Sequence, residues 1–138
     1  MAVSKSVTLW KTDKSPVEKR VPLLVPFEQC IWNAGQASNH SAGGLPAPEE
    51  FFIKGFVEVS DETAKKIVTQ YTWSPLTLNP LSIDKPTTPS IADSFFSAND
   101  FMESKDFMRE HTKQSSFSKG RIILSPSTKI FYFDLQNL

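Results

Sequence analysis

Residues 51–73, FFIKGFVEVSDETAKKIVTQYTW, constrain the fold more than any other stretch. In an extended chain Phe51, Ile53, Val57 and Val59 fall on one side, and Phe52, Lys54, Phe56 and Glu58 on the other. Aromatic rings on both sides ask for cover on both faces, so this strand is expected to be central or covered on both sides. Gly55 marks a bulge or a close backbone approach. Ser60 then offers a hydroxyl to the free N–H groups of a new helix, and Asp61 and Glu62 sit at its positive end. Ala64, Ile67, Val68 and Tyr71 are spaced as one apolar helical stripe. That helix should end near Thr72–Trp73, ahead of Pro75. No glycine-rich turn joins strand to helix, so the pair does not resemble a phosphate-cradling unit.

The flanking sequence supplies partners for this strand. Residues 6–11, SVTLWK, alternate like a strand, and DKSP after them reads as a turn. Residues 20–33, RVPLLVPFEQCIWN, are β-leaning, but Pro22 and Pro26 remove ladder donors and predict an edge strand or two short strands broken near Pro26. RIILSPSTKIFYFDL predicts a closing hairpin around Ser125–Thr128. Residues 97–111, SANDFMESKDFMREH, predict a second helix with a Ser97/Asp100 capping box. In that phase Ala98, Phe101, Met102 and Met108 share one face, and Phe107 lies opposite, near Glu103 and His111. The expectation is one compact α+β domain over 1–138, an antiparallel or mixed sheet of about five strands with two helices packed on it. Loops are expected at 34–50, 74–93 and 111–120.

A chain of 138 residues is long enough to bury a core without disulfides or metals. With 10 prolines and 5 glycines, its loops are stiffened by ring closure. Cys30 is the only cysteine, which suits a reducing compartment. The N-terminal residues lack the apolar core of a signal peptide, and no run approaches the ~20 apolar residues of a membrane span. The expected location is cytoplasmic, away from the membrane, and the Asn39-His40-Ser41 acceptor pattern is then accidental.

Signals for chemistry are sparse. His40, His111 and Cys30 show no metal-ligand spacing, and Cys30 sits in a β-leaning packing context. Glu49 and Glu50 would point to opposite faces of a strand, and Asp61 and Glu62 are occupied at a helix start. Residues 39–52, NHSAGGLPAPEEFF, read as a surface connection into the central strand. The expectation is no catalytic residue, no metal and no cofactor.

Net charge is zero, with basic excess at both ends and acidic excess between. The expected function is a non-catalytic intracellular protein–protein interaction module: an adaptor, regulator or assembly subunit binding another protein or itself. Phe107, Phe117 and His111 are its interface residues, and the proline-rich 74–90 segment is a further candidate. The alternative is weak RNA or single-stranded DNA binding through Lys113, Phe117, Lys119 and Arg121, which interleave cations with a ring that could stack on a base. Neutral overall charge weighs against that alternative. A small enzyme built on Cys30, His40 and His111 is least favoured.

Overall fold

The computed structural model describes residues 10–35, 52–77, 83, 86 and 90–136. Apart from Trp10 and Lys11, the expected strand at 6–11 lies outside these residues. So do His40, the Glu49–Glu50 pair and most of the 34–50 loop.

The chain is α+β. Strands β1 (Gln29–Gly35), β2 (Phe52–Glu58), β3 (Ser74–Pro75), β4 (Met102–Glu103), β5 (Lys119–Ser125) and β6 (Ile130–Gln136) form one antiparallel sheet in the order β1-β2-β6-β5-β4-β3. Helices α1 (Ser15–Arg20), α2 (Asp61–Gln70), α3 (Ile91–Ser97) and α4 (Lys105–Gln114) complete the described elements.

β2 is internal, paired with β1 and β6, and its alternation sorts as the sequence implies. Ile53, Val57 and Val59 join one buried cluster with Ile67 of α2 and Phe107 of α4. Phe56 joins the other, packing on Phe95 and Tyr132 with ring centroids at 5.4 and 5.3 Å. Each such side chain withdrawn from water contributes about 1.5–3 kcal/mol before ordering costs, so both faces hold the sheet. Gly55 is a close approach: a Cβ there would strike the Ile31 carbonyl oxygen and Trp32 on β1. Ser60 caps α2 by accepting from the Thr63 N–H at 3.2 Å. The hairpin forms with Ser125 opposite Ile130, and the Lys129 N–H donates to the Ser125 carbonyl at 2.8 Å.

Elsewhere the local reading is corrected. DKSP does not end in a turn, because Pro16 opens α1, where its missing N–H costs nothing. Residues 20–28 are not a strand: a short 3-10 turn at Pro22–Leu24 leads into β1, which lies at the sheet edge. Among the described residues the sheet has six strands rather than about five, two of them, β3 and β4, only two residues long. The expected 97–111 helix is three elements. α3 ends at Ser97, the chain extends through β4, and α4 starts afresh with Ser104 accepting from the Phe107 N–H at 3.1 Å. The expected 74–93 and 111–120 loops are shorter too, since α3 begins at Ile91 and α4 runs to Gln114.

Candidate interaction surface

Starting the fourth helix at Lys105 removes Ala98, Phe101 and Met102 from it, so the face they were expected to bury is not the one it buries. Phe107 and His111 then face the sheet, at 1% and 0% exposure. Phe107 meets Tyr71, Trp73 and Phe131 with centroids 5.1, 5.5 and 6.1 Å away. Phe117 is 4% exposed, beneath the Arg20 guanidinium at 5.4 Å. None of the three expected interface residues offers its side chain to a partner.

His111 secures the chain between α4 and β5. A carbonyl only accepts, so Nε2 carries the proton and donates to Phe117 O at 2.7 Å. Nδ1 is buried without a partner among the described residues, and burial pulls the imidazole below its usual range. Ser115 ties the same loop to α1, donating from Oγ to the Arg20 carbonyl and accepting from the Phe117 N–H at 3.0 Å.

Cys30 is equally withdrawn. Its Sγ faces the Thr12 and Asp13 carbonyls at 3.6 and 3.7 Å, and burial, reinforced by Asp13, pushes the thiol up to about 11. Such a thiol is a poor nucleophile at neutral pH. Asp61 lies 2.9 Å from Lys129, which lowers its carboxyl. Among the described residues no group of three His, Cys, Asp or Glu side chains could hold a metal, and no helix is long and apolar enough to cross a membrane.

The exposed members of the basic segment occupy an unusual position. Lys113 is near the end of α4, while Lys119 and Arg121 flank Gly120 on β5. β5 pairs with β6 along its whole length, but its other side meets β4 only at Met102↔Leu124. The antiparallel course of β4 would have run on beside Ile122, Arg121 and Gly120. Instead the Ser104 cap turns the chain into α4, and among the described residues β5 has no further neighbour on that side. Lys119, Gly120 and Arg121 are all exposed. Glycine has no side chain, so exposure at Gly120 is exposed main chain. Its φ of 126° and the Asp134 carbonyl, where a Cβ would collide, restrict the position to glycine.

A cleft of about 330 Å³ runs beside this edge, lined by Glu103, Ser104, Lys105 and Met108 across from Gly120, Arg121 and Ile122. Arg121 reaches Glu103 at 3.5 Å, both side chains being 46% exposed. A second cleft, about 630 Å³, lies between Pro22–Pro26, α2 and α4, with Leu23 and Tyr71 among Lys66, Gln70, Glu110 and Gln114. It mixes charges of both signs. The sequence carried one signal for the edge, a glycine between two cations at the start of a β-run, but a strand read as starting at Arg121 leaves Gly120 out.

No protein-family model, curated protein or solved structure matches this chain.

Proposed function

We propose that this protein is a non-catalytic protein–protein interaction module that works in the cytoplasm as an adaptor, regulator or assembly subunit. The outer side of β5 from Lys119 to Ile122, which no strand covers among the described residues, carries the reading. An unpaired strand edge presents N–H and C=O groups that a partner's extended segment satisfies, while flanking side chains select the partner. The surface therefore lies not on Phe107, Phe117 or His111 but a few residues further along the chain. The nucleic-acid reading keeps its cations Lys113, Lys119 and Arg121 but loses its stacking ring, because Phe117 is buried.

The test is a photo-crosslinking amino acid placed at Lys119 in cells, with a control at Thr69 on the exposed side of α2. A discrete protein adduct from 119 and none from 69 is the expected result. No protein adduct from 119, together with a 260/280 absorbance ratio that falls as salt rises, would replace this reading with nucleic-acid binding.

A further inference from the structure

We infer that the open edge of β5 takes an extended segment in which acidic residues alternate with apolar ones, added as an antiparallel strand where β4 turns away. This rests on the interaction reading above and names the partner's chemistry. The free stretch, Lys119 to Ile122, spans about 13 Å at the usual strand rise. That is room for one short strand of about four residues.

The two faces of β5 define the pattern. Ile122 and Leu124 belong to the cluster under α4, with Met108 packed against it, so Gly120 shares that face. Ile123 belongs to the opposite cluster, and Lys119 and Arg121 share its side. A strand laid along the edge therefore sends alternate side chains toward Met108 and the intervening ones toward the two cations. The first set meets a thioether wall next to a glycine that leaves space, which suits apolar groups. The second set meets Lys119 and Arg121, and Lys105 stands at the rim of the cleft. The acidic groups beside them are Glu103, which Arg121 engages, and Asp134 of β6, which lies opposite Arg121 in register and accepts from the Tyr132 hydroxyl at 3.3 Å. Lys105 and Lys119 have no ion-pair partner among the described residues.

The same charges disfavour a second copy. Two β5 edges paired antiparallel about Gly120 would bring Lys119 and Arg121 of one chain against those of the other, a like-charge arrangement that is destabilising across strands. An acidic strand converts that repulsion into attraction.

The probe is a short capped peptide alternating Glu and Val, compared with its Lys-for-Glu counterpart. Binding is followed by calorimetry and by amide hydrogen exchange on the whole protein. The acidic peptide should bind and slow exchange within Lys119–Ile122, and the lysine counterpart should not. Lys105→Glu with Lys119→Glu, both exposed positions that leave the core intact, should weaken binding about tenfold. Methylating the peptide's main-chain nitrogens at the Glu positions or at the Val positions separates pairing from charge. Alternate amides point to opposite edges of a strand, so one set should abolish binding and the other spare it. Equal binding of the lysine peptide, no binding of the acidic one, or equal effects of the two methylation sets would overturn the proposal. So would protection of the edge in concentrated protein without peptide, which would make a second copy the occupant. If the acidic peptide fails while the crosslinker at 119 still captures a protein, the acidic strand is wrong and the interaction reading stands. If both fail, both fall.

Discussion

At the residue scale, the surroundings of His111 hold its imidazole in one tautomer. Nε2–H is spent on the Phe117 carbonyl, and Nδ1 is buried with no acceptor near it among the described residues. A second proton on Nδ1 would put a positive charge in the core with nothing to receive it. Arg20, over the ring of the same Phe117 whose carbonyl His111 binds, is also a cation. An unfolded histidine titrates near 6.5, and burial places the folded value lower. Above that pH both states are neutral and His111 contributes no pH dependence. As pH falls through 6.5 the unfolded chain binds a proton that the folded chain refuses. Stability then declines by up to about 1.4 kcal/mol per pH unit until the folded value is reached. Asp61, Asp100 and Asp106 have lowered values, so their losses come below about pH 4, outside this window. The urea midpoint should therefore drop between pH 7.5 and 5.5, and His111→Gln should be less stable at pH 7.5 but flatter with pH. Parallel curves for the two proteins would refute the argument.

At the scale of elements, Asp100 shows both what holds the hairpin and why part of the chain was unreadable. Its Oδ1 accepts from Ser125 Oγ and its Oδ2 from the Ser127 N–H, each at 2.8 Å. Burial pushes the carboxyl up, but these hydrogen bonds outweigh it and the net shift is downward. Asp100→Ala leaves the fully buried Ser125 hydroxyl without its acceptor and should cost about 1–3 kcal/mol in urea denaturation. Asp100→Asn, which keeps an acceptor, should recover part of that. Equal stability of Asp100→Ala and the parent would show that the turn holds itself. In sequence, Ser97-x-x-Asp100 has the same spacing as Ser90-x-x-Asp93, and only the second pair is a capping box. Asp100 is engaged by a turn 25 residues away, a contact no local pattern encodes. By contrast β2, α2 and the closing hairpin were legible, because alternation, the Ser60 cap and the Ser-Pro turn are local. The false helix start reversed the face assigned to Phe107, and the expected interface was lost with it. Lys119 and Arg121 were legible as cations. Their place on an open edge was not, since it follows from the Met102↔Leu124 register and the turn at Ser104.

At the scale of the whole molecule, pairing among the described residues stops at three places in the sheet, and each is handled differently. β1 is covered at one point by Lys11, whose N–H donates to the Trp32 carbonyl at 2.7 Å and whose carbonyl accepts in return at 2.8 Å. β3 ends the opposite edge with Pro75, which has no N–H to offer. Among the described residues the exposed stretch of β5 has neither device, and it carries Lys119 and Arg121, the kind of charge that keeps edges from pairing with one another. Replacing both cations with threonine retains strand propensity and removes that repulsion. The double variant Lys119→Thr, Arg121→Thr should therefore self-associate at protein concentrations where the parent scatters light as a monomer. Exchange should slow at Gly120 and Ile122 when it does. Salt discriminates further. Screening within about 10 Å should promote association of the parent as salt rises and leave the variant nearly unaffected. A double variant that stays monomeric up to its solubility limit would mean that this edge is not free to pair. An acidic strand would then have no more access to it than a second copy does.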